Sequence, residues 1–123
     1  MKLFNLFRSP DINKELEQFD CMPQALLLDV RSPREYNEGH IPESVNIPSY
    51  EMHRIEERPI SKFTPIFVYC YSGVRSRAAA QILRTMGYKD VRDIGGISAY
   101  HGQYVQGGEP MVFESRIDPA YGL

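Results

Sequence analysis

The chain has 123 residues, 42% of them hydrophobic and 24% charged, with a formal net charge of −2. That length fits one ordinary domain with its own core. The near-neutral charge excludes strong general attraction to nucleic acid or an anionic membrane.

The opening MKLFNLFRSP has an apolar stretch too short for a secretory or membrane-spanning segment. Residues 11–19 (DINKELEQF) place Ile12, Leu16 and Phe19 on one helical face, with Asp11 as N-cap. Residues 25–30 (ALLLDV) form an apolar run of strand length, expected to be buried on both faces. Residues 32–38 predict a short helix: Ser32 caps it, Pro33 takes its first position and Gly39 stops it. Residues 45–47 form a short strand ended by Pro48, and residues 50–57 are read as a helix. Residues 65–69 (PIFVY) are the strongest strand, and Cys70 follows directly. Residues 76–86 form a helix with three consecutive alanines, then Ile82, Leu83 and Met86, closed by Gly87. Residues 91–94 are a further strand, Gly95-Gly96 a turn, and residues 97–104 helical. Such alternation implies an α/β domain whose parallel sheet is covered on both faces. The domain is expected to span residues 1–106, with residues 107–123 a tail that holds two prolines and no clear period.

Chemistry concentrates in Tyr69-Cys70-Tyr71-Ser72-Gly73-Val74-Arg75-Ser76. A cysteine at the carboxyl end of a buried strand stands where open α/β sheets bind ligands. The loop amides and the following helix N-terminus can converge on one anion. Such surroundings favour the thiolate, which is the nucleophile, without a histidine base. Gly73 permits a tight curl, and Arg75 adds positive charge at the rim. A lone cysteine in an apolar strand is more often an inert core thiol; here the strand–cysteine–loop–helix context favours the nucleophile. Cys21 lies between a helix and a strand without a charged cradle and reads as an ordinary thiol. The cysteine pair is too widely spaced for a zinc signature or a disulfide framework, so the expected setting is the reducing cytoplasm.

The loop CYSGVR resembles the six-residue Cys-x-x-Gly-x-Arg loop of rhodanese domains. Three further blocks share the resemblance. Leu27-Leu28-Asp29-Val30-Arg31 is similar to the family's Asp-Val-Arg strand end. Glu35-Tyr36, Gly39-His40-Ile41-Pro42 and Asn46-Ile47-Pro48 follow its second run, with Glu43 and Ser44 as minor departures. Gly87-Tyr88, Val91 and Gly95-Gly96 follow its late block. With the alternation of elements, this gives the expectation of a mainly parallel, five-stranded, rhodanese-like sheet flanked by helices.

The resemblance implies a sulfurtransferase. A donor such as thiosulfate, a thiosulfonate or a persulfide passes its outer sulfur to Cys70. The loop from Tyr71 through Ser72, Gly73, Val74 and Arg75 to Ser76 holds the resulting persulfide. Cyanide or a thiol removes the sulfur, and no metal or organic cofactor is required. Expected partners are a small-molecule or protein sulfur donor and a thiol acceptor. Arg31 is suggested as a ligand for an anionic donor, against the alternative of a surface ion pair with Glu35. Asp29 is expected to bridge a loop arginine and support the loop. His40 is expected to bond backbone and shape a turn, Tyr71 to line or cover the pocket, and Arg77 to be a solvated helix residue. Two other functions compete. A phosphatase or arsenate reductase of this fold places five residues between Cys and Arg; here four separate Cys70 from Arg75, and Ser76 holds the phosphatase position. A non-catalytic docking module would need none of the loop chemistry.

Overall fold

The computed structural model describes residues 10–108. Helix α1 (Ile12–Asp20) comes first, followed by strand β1 (Leu26–Asp29), helix α2 (Pro33–Glu38) and strand β2 (Val45–Asn46). After a 3-10 segment (Ser49–Glu57) come strand β3 (Ile66–Cys70), helix α3 (Val74–Thr85), strand β4 (Val91–Gly96) and a 3-10 turn (Ile97–Ala99). The expected reading of residues 1–9 and of most of the tail falls outside the described residues.

The sheet is parallel throughout, in the order β2-β1-β3-β4. Every residue of β1 and β3 is buried. That is the expected state of parallel strands roofed on both sides, and it explains their unbroken apolar runs. Leu26, Leu28, Ile66, Val68 and Cys70 face one core, completed by Met52 and Ile55 of the 3-10 segment and by Ala79, Ala80 and Leu83 of α3. Leu27, Phe67 and Tyr69 face the other, completed by Ile12 and Phe19 of α1. Alternation of side chains along a strand produces this division.

The helix ends are set locally. Asp11 caps α1 by accepting the Asn13 amide at 3.0 Å. Ser32 and Glu35 form a reciprocal capping box on α2, with Pro33 at its first turn. Gly73, at φ +101°, serves as N-cap of α3, so that helix starts at Val74, two residues before the expected Ser76. Asn13 ties α1 to the far end of the chain, donating to the Ala99 carbonyl at 2.9 Å and accepting the His101 amide at 2.9 Å.

Three expectations are corrected. The sheet has four strands among the described residues, not five. The further pairing is one isolated antiparallel bridge between His40 and Val105. It cannot extend, because Pro42 has no N–H to donate and Glu38 belongs to α2. Residues 97–104 form only a short 3-10 turn. Gly102 interrupts the helix, and the Tyr100 hydroxyl folds back to donate to the Gln103 carbonyl at 3.0 Å. Residues 50–57 are 3-10 rather than α-helical, with a kink at Glu51.

The sheet also determines where the loop after β3 can run. A β-bulge leaves Ile94 unpaired opposite the Val68–Tyr69 step, with Gly95 at φ +99°. Beyond it, Gly96 lies so close to the loop that a Cβ there would collide with the Tyr71 carbonyl and the Ser72 Cα. The Ser98 amide then donates to the Tyr71 carbonyl at 3.1 Å. Gly96→Ala is expected to push the loop off β4 and cost about 1–3 kcal/mol, the usual range for overpacking. Chemical denaturation would measure the cost, and faster amide exchange at Ser98 would report the displaced loop.

Candidate functional site

Cys70 is the last residue of β3, and its side chain is 1% exposed. Its Sγ accepts the Gly73 amide at 3.0 Å and lies 3.5 Å from the Ser76 hydroxyl oxygen. Gly73 makes the first contact possible by turning through the left-handed region. Helix α3 opens with no side-chain cap, so the N–H groups of its first turn are left to other partners. Their partial positive charge lies at the end of the helix next to the sulfur. Ser76 is fully buried, and its hydroxyl oxygen is 2.7 Å from Asp93 Oδ1 and 3.2 Å from the Gly73 carbonyl. The same Asp93 oxygen accepts the Gly95 amide at 3.1 Å.

The outer side of the loop is apolar and open, with Tyr71 54% and Val74 74% exposed. Beside it lies a cleft of about 320 Å³ lined by Arg31, Glu35, Glu38, Gly39, Tyr71 and Tyr104. Tyr71 therefore lines the cleft while remaining open to solvent.

Arg75 does not point a free charge at the mouth. It forms a two-pronged pair with Glu35 of α2, at 2.7 and 3.1 Å. The Arg75 guanidinium is the main reason that the Glu35 carboxyl is lowered to about 2, against the opposing effect of partial burial and with help from Ser32.

Arg31 and Asp29 depart from expectation. Arg31 is buried, and its guanidinium binds Asp29 with its Nη2 2.7 Å from Oδ2, while the same Nη2 reaches the Gly39 carbonyl at 2.7 Å. Arg31 thus makes no surface pair with Glu35; its Nε and Nη2 are engaged by Asp29 and Gly39, and it lines the cleft. Asp29, in turn, bridges Arg31 and not the loop arginine Arg75. Two residues apart on an extended segment, the side chains share one side. Both are buried, so each takes the nearest opposite charge.

His40 bonds backbone: its Nδ1 is 2.8 Å from the Tyr36 carbonyl and its ring stacks on Tyr36. Arg77 is exposed on α3, and Cys21 is an exposed thiol at the end of α1. The structure therefore gathers Cys70, Gly73 and Ser76 around one sulfur. It places Tyr71 and Arg31 at the cleft and leaves Val74 on the outer surface. The sequence reading missed Asp93, the bracing role of Glu35, and Tyr104. For Asp93 there was a signal, since aspartate is depleted in strands and stood within one. Among the described residues, no cluster of His, Cys, Asp and Glu is placed to hold a metal ion, and no helix is long and apolar enough to cross a membrane.

Comparison with known proteins agrees with this architecture. The family model described as Rhodanese-like domain matches residues 11–103. Thiosulfate sulfurtransferase GlpE of Pseudoalteromonas translucida is 32% identical over 100 residues, covering 80% of this chain and 92% of GlpE. The adenylyltransferase and sulfurtransferase uba4 of Ogataea parapolymorpha is 32% identical over 94 residues, covering 76% of this chain but only 24% of that protein. The chain thus spans about a quarter of one relative and most of another. Among solved structures, a rhodanese with anions from E. coli superposes with a TM-score of 0.63 at 34% identity, covering 68% of this chain and 99% of that one.

The Glu35–Arg75 pair gives a signed pH dependence. A carboxylate held below its ordinary value adds stability that is complete above the unfolded value, about 4.3. That stability is lost as pH falls towards the folded value of about 2. Both side chains are partly solvated, at 34% and 40% exposure, so the contribution expected is about 0.5–1 kcal/mol. Urea midpoints of the parent and of Glu35→Gln should differ by that amount at pH 7 and converge as pH approaches 2.

Proposed function

The chain belongs to the rhodanese-like domain family, and on that premise we propose that it is a sulfurtransferase carrying sulfane sulfur as a persulfide on Cys70. The observation that carries this reading is the sulfur's seat: Sγ at the end of β3, bonded to the Gly73 amide at 3.0 Å, beside a helix whose first turn has no side-chain cap.

In the first half-reaction, Sγ attacks the outer sulfur of a donor such as thiosulfate. The new S–S bond forms as the donor's S–S bond breaks, and sulfite leaves with the electron pair. The outer sulfur of the persulfide then carries the negative charge. Loop backbone from Tyr71 to Ser76, with the first-turn amides of α3, supplies donors for that anion. In the second half-reaction, cyanide or a thiolate attacks the outer sulfur and Cys70 leaves as the thiolate. Both half-reactions run without a metal or organic cofactor.

Arg75, held by Glu35, contributes field rather than a hydrogen bond to the donor. Arg31, engaged by Asp29 and Gly39, serves as a wall of the cleft and a brace for its shape. The donor and acceptor reach Cys70 past Tyr71, either as small molecules or as a thiol presented by a protein. A thiol-rich compartment such as the cytoplasm suits this cycle, because thiols are its acceptors.

The near-complete burial of Cys70 favours the alternative of a docking module without chemistry. The amide bond to Sγ outweighs it, because an inert thiol has no need of a donor aimed at its sulfur. A phosphatase is disfavoured by the spacing, with four residues between Cys70 and Arg75.

Thiosulfate and cyanide should give thiocyanate, and after thiosulfate alone the intact mass should rise by one sulfur atom. Cys70→Ser should abolish both, while Cys21→Ser should leave them close to the parent. Turnover surviving in Cys70→Ser would overturn the assignment.

A further inference from the structure

We propose that Ser76 and Asp93 form an internal proton path for Cys70. The inference builds on the reading of Cys70 as the sulfur carrier, and it starts from the count of protons around one hydroxyl. The Ser76 oxygen has a single proton to donate and three polar neighbours: Asp93 Oδ1 at 2.7 Å, the Gly73 carbonyl at 3.2 Å and Cys70 Sγ at 3.5 Å. The carboxylate is the nearest and the charged one, so it takes the hydroxyl proton. A lone pair of the same oxygen then faces the Cys70 thiol. The other partner of Sγ is the Gly73 N–H, which can only donate. The thiol proton is thus directed at Ser76.

The rest of the geometry suits transfer. Ser76 is fully buried in the first turn of α3, so no water competes for its hydroxyl. Asp93 comes from a different element, β4, and is only partly buried, which gives the proton an exit to solvent. The Gly95 amide, donated to the same Oδ1 at 3.1 Å, holds the carboxylate in place. The bulge at Ile94 brings Asp93 and Gly95 into this arrangement.

The step balances. As Sγ bonds to the donor's outer sulfur and sulfite departs, the Sγ proton moves to the Ser76 oxygen and the Ser76 proton moves to Asp93. In the second half-reaction Cys70 leaves as a thiolate, and the same two transfers run backwards. Ser76 touches the reacting sulfur; Asp93 acts through Ser76 and is a positioning residue. The charged groups on the Cys70 side are Arg75 of α3, its partner Glu35 of α2, and the buried pair of Arg31 and Asp29 at the end of β1. All four stay in place in every variant below.

A purely structural tie between α3 and β4 is the rival explanation, and Asp93→Asn separates the two. Its amide oxygen can still accept from Ser76 and Gly95 but takes up no proton at neutral pH. The experiment measures the rate of Cys70 alkylation by iodoacetamide on the Cys21→Ser background, with thermal unfolding as the control for folding. At pH 7, Asp93→Asn and Ser76→Ala should each slow alkylation by about a hundredfold, the low end of what a positioned proton acceptor contributes. The double variant should be no slower than either single one, and Ser76→Thr, which keeps the hydroxyl, should recover most of the rate. Alkylation of Asp93→Asn at the parent rate or faster would overturn the path. So would equal rates for Ser76→Ala and Ser76→Thr, which tests it even if the Asp93 variant does not fold. Alkylation reads Cys70 directly, so absence of sulfur transfer would count against the sulfurtransferase reading and leave this test intact.

Discussion

The structure depends on one constraint: β3 is a parallel strand with neighbours on both sides and a core on both faces. Its backbone groups are bonded and its side chains are covered, so nothing within it is available to a ligand. Cys70 is the last residue of that ladder, paired with Gly96, and the chain leaves it at Tyr71. A loop that then turns directly into a helix must surround Cys70 with amides, because those of the first helical turn have no partners behind them. The reactive position is thus a consequence of parallel topology, and the same constraint accounts for its near-complete burial.

Around this strand the interior is unusually polar on the β1 side. Asp29 and Arg31 are paired inside the protein, and Asn46 donates to the carbonyls of both at 2.9 Å. Tyr69 receives the Ile41 amide at 3.1 Å and shares a 3.0 Å bond with Ser44. Burial pushes the Tyr69 phenol well above its ordinary value, which keeps it a neutral hydroxyl in the network. Buried ion pairs of this kind add little net stability, because desolvation offsets attraction. Breaking one partner is costly, however, so such pairs hold a single arrangement. Here that arrangement is the wall of the cleft.

Much of this was legible in the sequence because it is local. Ser32, Pro33, Glu35 and Gly39 announce a capped helix, and PIFVY followed by Cys70 announces a buried strand with a reactive end. The misreadings share a different origin. Residues 97–104 carry a plausible helical pattern, but Asn13 of α1 binds the Ala99 carbonyl and the His101 amide, a choice made by tertiary contact. Arg31 could reach Glu35 by helical spacing, yet burial gave it Asp29. Asp93 could not be linked to Ser76 from sequence, since the contact depends on β4 lying beside β3 in the register that pairs Asp93 with Val68. Spacing along the chain shows which partners are possible, and burial decides among them.

The Glu35 carboxylate serves two structures at once. Its Oε1 accepts the Ser32 amide at 2.9 Å, closing the capping box of α2, and also binds Arg75 at 2.7 Å. Helix and loop therefore draw on one oxygen and cannot relax independently. A ligand that drew Arg75 towards the sulfur would strip a counter-charge from the first turn of α2 and load its cap. Any force exerted on the guanidinium is transmitted as fraying of a helix on the other side of the cleft, so occupancy of the site should be readable from the protection of backbone amides that no ligand touches.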